Sequence, residues 1–154
     1  MAEKISANRD PDWRRYPDTI LRFHSAPALN IDLRSAISGQ HRAALEPLGL
    51  AGVFAVITAF DPLGHDLRAE ENAVRAAALE SRLSSQGEHF VSVDACSPDG
   101  SHCEASVAWK TSLSAATALA VELEQMAFFW HDGNIFWIVG ALAASDPIAL
   151  PRSG

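Results

Sequence analysis

The sequence predicts an α+β protein: a ferredoxin-like βαββαβ core, one added C-terminal strand and an N-terminal helical extension. Three observations predict it. The run "GVFAVITAF", residues 52–60, is β-branched, aromatic and almost wholly apolar, as expected of a strand covered on both faces. Two segments of helical period follow, "DLRAEENAVRAAALESRLS" and "SLSAATALAVELEQ". After each come two apolar runs with an Asp-Gly reversal between them, Asp99-Gly100 and Asp132-Gly133, which signals a hairpin. Helices of such a core cover one sheet face only. The last hairpin, "AFFWHDGNIFWIVGA", is apolar on both faces, so a second cover is needed: the N-terminal helix, another copy of the chain or a ligand.

Taken in order, residues 1–19 are polar and read as a flexible arm, which Trp13 and Tyr16 could pin to the body. Ile20, Leu21 and Phe23 could form a short extended piece. Asp32 can cap a helix that Pro47 and Gly49 end, weakened by about 1 kcal/mol at Gly39. The strand that follows stops at Asp61-Pro62-Leu63-Gly64, because proline removes an amide donor and glycine accepts positive φ. Asp66 can cap the next helix, which Gly87 closes. At about 100° per residue, Asn72 shares a stripe with Ala76, Leu79 and Leu83, and Arg68 and Arg75 flank it. The first reversal sets Ser97 opposite His102, Cys96 opposite Cys103 and Asp94 opposite Ala105. Ser112 can cap the second helix, with Leu113, Ala116, Leu119, Ala120 and Leu123 as its buried stripe. The second reversal would pair Trp130 with Ile135 and Phe128 with Trp137 on one face, and Phe129 with Phe136 on the other. Residues 20–145 thus read as one domain and 146–154 as a frayed tail.

A length of 154 residues, 48% apolar and 20% charged, suits one domain with a real core. The net charge of −7 and a pI near 5.2 speak against a nucleic-acid or anionic-membrane partner, which would need clustered Lys and Arg. No apolar run of about 18 residues suggests a membrane span. The start, "MAEKISANRDPDWRRYP", lacks the apolar stretch of a signal peptide, so the expected compartment is the cytoplasm. Two cysteines there are usually reduced. The alternatives for Cys96 and Cys103 are a cross-strand disulfide or, with His102, a metal site; zinc wants four ligands and this tip offers fewer. No metal and no cofactor is expected, because Gly-rich phosphate loops, Gly-x-Ser-x-Gly elbows, Cys-x-x-Cys pairs and metal-type His spacings are missing.

The segments "TAFDPLG", "AEENAVRAAALESRL" and "ELEQMAFFW" together resemble the bacterial domain of unknown function 3293 family. That pattern falls on Thr58, Ala59, Asp61, Pro62, Glu71, Asn72, Arg75, Leu79, Gln125 and Ala127, with Asp61 where the family carries Asn. The resemblance covers about residues 53–140 and implies no reaction, because the family is uncharacterised.

It does single out the same corner that the residues mark by themselves: Thr58, Asp61, His65, Glu71, Asn72, Arg75 and Gln125. Two readings of it stay open. In the first, a polar pocket beside a helix N-terminus takes a small anionic ligand, with Arg75 as its charge partner. In the second, Asn72, Asp61 and Thr58 satisfy the backbone of the turn, and Arg75 is a surface partner of Glu71. The sequence accordingly points to a small binding or regulatory module that self-associates through its apolar sheet. The alternative is a small enzyme with Asp61 or His65 as general base and Arg75 holding an anionic substrate.

Overall fold

The computed structural model describes residues 4–10 and 12–152. Its strands are β1 (Ile5–Ser6), β2 (Ile20–Phe23), β3 (Leu29–Asp32), β4 (Val53–Thr58), β5 (Phe90–Cys96), β6 (Cys103–Trp109), β7 (Ala127–Asp132), β8 (Phe136–Gly140), β9 (Ala143–Ala144) and β10 (Ile148–Leu150). Its helices are α1 (Gly39–Leu45), α2 (Ala69–Ser85) and α3 (Leu113–Glu122). Eight strands form one antiparallel sheet in the order β10-β8-β7-β4-β6-β5-β2-β3, while β1 and β9 pair separately and in parallel. The expected interior strand is there: β4 lies between β7 and β6.

The sheet curls into a half-barrel. Laid flat, its outer strands would stand roughly 34 Å apart. Instead Ile31 and Leu33, at the β3 edge, line the same small gap as Phe136 and Leu150 from the opposite edge. The chain is therefore α+β, but the expected ferredoxin-like core with one added strand is wrong, and the N-terminal extension read as helical supplies strands as well, with only the short α1 as its α-helix. The chain's early residues add β2 and β3 at one edge, and Ile148–Leu150, inside the segment read as a frayed tail, adds β10 at the other.

The physical reason lies in a two-residue period that the early segment carries. Leu21, Phe23, Leu29 and Ile31 are buried, while Arg22 and Asn30 between them are exposed. Asp32 caps no helix. Its carboxylate accepts from the Arg34 amide at 2.9 Å and pairs with the Arg34 guanidinium at 2.7 Å, closing a turn. The helix waits until Ser38, whose Oγ accepts from the His41 amide at 3.0 Å.

Each face has its own core. On the convex face, α2 and α3 cover Ala55, Ile57, Val107, Phe128 and Trp130 with Leu79, Leu83, Ala116, Leu119 and Ala120. On the concave face, Phe54, Val56, Val93, Phe129 and Ile138 meet the residues of β2 and β3. Tyr16 sits edge-on to Phe129, ring centres 6.2 Å apart, and Trp13 sits edge-on to Tyr16. The second cover that the sequence called for is thus the sheet's own curl, helped by residues 13–16. Phe128, Phe129, Trp130 and Phe136 are all buried within one chain.

The first hairpin has the expected register, Cys96 opposite Cys103 and Asp94 opposite Ala105. The second turns one residue later than expected, with Trp130 opposite Trp137 and Phe129 opposite Ile138. Asp132 Oδ1 accepts from the amides of Asn134 and Ile135 at 2.8 and 2.9 Å, which moves the reversal onto Gly133-Asn134. The shift in pairing is two residues, so every side chain keeps its expected face. Likewise α2 starts three residues after Asp66, and Arg68 stands at its N-cap.

Leu21 is fully buried where a free arm or a surface helix would leave it exposed. Leu21→Ala is expected to lower unfolding stability by about 2–5 kcal/mol, read from urea denaturation. A change within about 0.5 kcal/mol would place β2 outside the core.

Candidate functional site

The corner after β4 is built on left-handed backbone. Asp61 has φ 46° and Leu63 φ 58°, conformations that cost a side-chain-bearing residue on the order of 1–3 kcal/mol unless the surroundings fix them. Asp and Asn tolerate that region best, which suits Asp61 to this position. Asn72, buried on α2, fixes it: its Oδ1 accepts from the Asp61 amide at 3.0 Å and its Nδ2 donates to Asp61 Oδ1 at 2.9 Å. The same Oδ1 of Asp61 accepts from the Leu67 amide at 2.9 Å.

Arg75, one turn further on, reaches two backbone oxygens. Its Nε donates to the carbonyl of Ala59 and its Nη2 to that of Leu123, at 3.0 Å, where α3 ends. Gln125 Nε2 donates to the Phe60 carbonyl at 2.9 Å. Thr58 Oγ1 donates to the Ala105 carbonyl and accepts from the Phe60 amide. Glu71 does not pair with Arg75; it meets Arg68 at 2.9 Å on the exposed side of α2. His65 is exposed. Asn72, Arg75 and Gln125 therefore meet the turn's backbone, while Glu71 and His65 stand apart from it.

Beside this knot the concave face opens into a cavity of about 600 Å³. Val56, Phe129 and Ile138 make it apolar on one side. Thr58, Asp61 and Gln125 reach its wall from the corner, and Asp10, Asp12 and Tyr16 close it from the chain's early segment. Glu104 and Ser106 face it from β6, and the hairpin tip from Ser97 to His102 forms its rim.

Carboxyl groups predominate around this cavity, with Arg15 and His102 as the basic groups among them. Burial pushes the Glu104 carboxyl up to about 7; His102 at 3.7 Å opposes the shift, and Asp61 and Asp12 add to it. Burial, and then the Asp10 carboxylate, push the Tyr16 hydroxyl up, so it stays a donor and gives its hydrogen bond to Asp10 Oδ2. Burial and Asp10 also raise Asp12, against Arg15 at 3.6 Å. Among the described residues, no group of three or more His, Cys, Asp or Glu is placed to hold one metal ion. Cys96 and Cys103, expected as reduced thiols, are joined in a disulfide that their opposed register brings within reach.

Sequence reasoning found Thr58, Asp61 and Gln125 but missed Asp10, Asp12, Tyr16 and Glu104. Glu104 did leave a signal. In "CEASVAW" it and Ser106 are polar residues on the same face of a strand as Ala108, a face that is otherwise core. Tyr16 left only its aromatic ring, read as a pin for the early segment, and Asp10 left no signal, because only the folded chain brings it over the sheet.

Residues 57–128 match the family model described as Protein of unknown function (DUF3293), and they include the corner, α2 and Gln125. No curated protein and no solved structure matches the chain.

Two outcomes test this geometry. Arg75→Ala strands the carbonyl of Ala59 and leaves that of Leu123 only the longer bond from Gln125 Nε2 at 3.4 Å, so stability is expected to fall by about 1–3 kcal/mol. An unchanged urea midpoint would show that this side chain does not hold them. Glu104 has a folded-state value raised above its ordinary 4.5, so its contribution is complete below about pH 4.5 and is lost as pH rises through about 7. Glu104→Gln cannot ionise. Its stability relative to the parent chain should therefore rise across that window, as denaturation at about pH 5 and about pH 8 would show.

Proposed function

We propose from the geometry that the protein is a small-molecule binding module with the concave cavity as its site; the family that residues 57–128 match is described without an activity. One observation carries this reading: a cavity of about 600 Å³ that is apolar on one side and acidic on the other. That size falls within the range of ordinary ligand sites, which combine apolar walls with a few converging polar groups. Val56, Phe129 and Ile138 suit a hydrocarbon or aromatic body. Asp10, Asp12, Asp61 and Glu104 suit a positively charged head, such as a protonated amine. A cation seated there favours the ionised form of Glu104, so binding draws a proton off it.

The second reading is a small enzyme at the Thr58–Arg75 corner acting on an anionic substrate. It has less support, since Arg75 already donates to two carbonyls and the cavity beside the corner is acidic. A cytoplasmic, bacterial setting for the binding module rests on the sequence. No described helix is long and apolar enough to cross a membrane. Self-association would have to use surface other than Phe128, Phe129, Trp130 and Phe136, which one chain buries.

Calorimetric titration with benzylamine, benzyl alcohol and phenylacetate separates the readings. Benzylamine should bind, and its affinity should rise with pH through about 7 by up to tenfold per pH unit. Glu104→Gln should abolish that dependence. Preference for phenylacetate would favour the anion-binding enzyme, and no binding by any of the three would remove the cavity as a site for such ligands.

A further inference from the structure

We infer that the Cys96–Cys103 bond is a thiol-exchange site that controls the rim of the cavity. This concerns regulation of the site proposed above and rests on that reading. The two sulfur atoms differ in access: Cys96 is 2% exposed, whereas Cys103 is open to solvent. An incoming thiolate can therefore reach Cys103 Sγ, leaving Cys96 as the displaced sulfur.

The bond spans seven positions of sequence, and the residues between its ends include Ser97, Asp99, Ser101 and His102, which line the cavity. Asp99 Oδ1 accepts from Ser97 Oγ at 2.8 Å, from the Ser101 amide at 3.0 Å and from Ser101 Oγ at 2.8 Å. The tip's attachment to the sheet runs through the Cys96–Cys103 pair and, beyond it, through the Ser97 amide donating to the His102 carbonyl at 2.8 Å and the His102 amide donating to Ser97 Oγ at 3.1 Å. Cys103 lies between His102 on the rim and Glu104 on the wall, which face each other at 3.7 Å. Below the bond the two strands stay paired from Phe90–Trp109 to Ala95–Glu104. Breaking the bond therefore loosens the rim and leaves the sheet intact.

The co-reactant is a dithiol. One of its thiolates attacks Cys103 Sγ; a sulfur–sulfur bond forms, the Cys96–Cys103 bond breaks, and Cys96 leaves as thiolate and takes a proton from water. The second thiolate of the dithiol attacks its own sulfur in the mixed disulfide and releases Cys103, which is protonated in turn. The protein gains two electrons and two protons, and the dithiol ends as its cyclic disulfide. An oxidised dithiol reverses the sequence. The oxidised rim is preorganised and holds ligand more tightly, because ordering it is not charged to binding.

The test treats the native chain with excess dithiothreitol, then alkylates with iodoacetamide and follows backbone hydrogen exchange. Both cysteines should be alkylated, and exchange of the amides of Ser97, Gly100, Ser101 and His102 should speed up at least tenfold while β4 and α2 stay protected. Benzylamine should bind the reduced chain several-fold more weakly. A Cys96→Ser/Cys103→Ser chain should behave like the reduced one, with no response to dithiothreitol. Resistance of the native bond to dithiothreitol, an unaltered rim after reduction, or loss of protection throughout β4 would each overturn the inference. If exchange and alkylation occur as stated but benzylamine binds neither form, the ligand reading fails and the exchange site stands.

Discussion

At the end of β4 and at the end of α3 the chain reverses and leaves two carbonyl oxygens, those of Ala59 and Leu123, to be met by a side chain. One guanidinium meets both. A buried acceptor without a donor costs about as much as a lost hydrogen bond and its desolvation together, so the position of Arg75 is tightly constrained. With it the direction of α2 across the convex face is set. Asn72, three residues earlier on the same helix, then falls where it can hold Asp61 in its left-handed conformation. Gln125, at the other end of the link, secures Phe60. Strand, helix and late strand are thereby joined at one point, and Asp61 is delivered to the cavity wall.

The cavity itself depends on the curl. A sheet of this width cannot stay flat, because each strand twists relative to its neighbour. As the edges approach, the concave face encloses space that Trp13 and Tyr16 only partly fill. The chain's early segment is held over that space from both sides: Ile5 and Ser6 pair with Ala143 and Ala144, and Ile20–Phe23 pairs with β5. Asp10 and Asp12 are carried in with it. In this poorly solvated site burial raises Glu104, with Asp61 and Asp12 adding to the shift, and Glu104 becomes a group that exchanges its proton near neutrality.

Much of this was legible residue by residue where the signal is local. The interior strand at Val53–Thr58 follows from its β-branched run, the Ser112 cap from its hydroxyl, and the first hairpin from Asp99-Gly100. Asn72 could be seen as misplaced on an apolar stripe, because helical period alone puts it there. What it holds could not be seen, since the Asp61 amide is eleven residues away in sequence. The second hairpin slipped because Asp132 had two possible roles, a residue of the turn or a side-chain acceptor before it, and only the built loop distinguishes them. The early helix starts late for a related reason: Asp32 looked like its cap, but that carboxylate is taken by Arg34 in the turn after β3, and the helix begins after Ser38 and ends at Gly49 as its stop signal says.

By itself the sequence determined the α+β content, the interior strand, the first reversal and the existence of the second, the family segment and the convergence of polar groups after β4. Each of these is set by short-range sterics, hydrogen-bonding chemistry or periodicity. The tertiary structure alone decided that the sheet has eight strands and curls, that Arg75 serves the backbone, and that the acids of residues 10 and 12 meet Glu104 across a cavity. Those outcomes depend on which distant segments share an edge, and edge pairing is a competition between whole strands that no local pattern records.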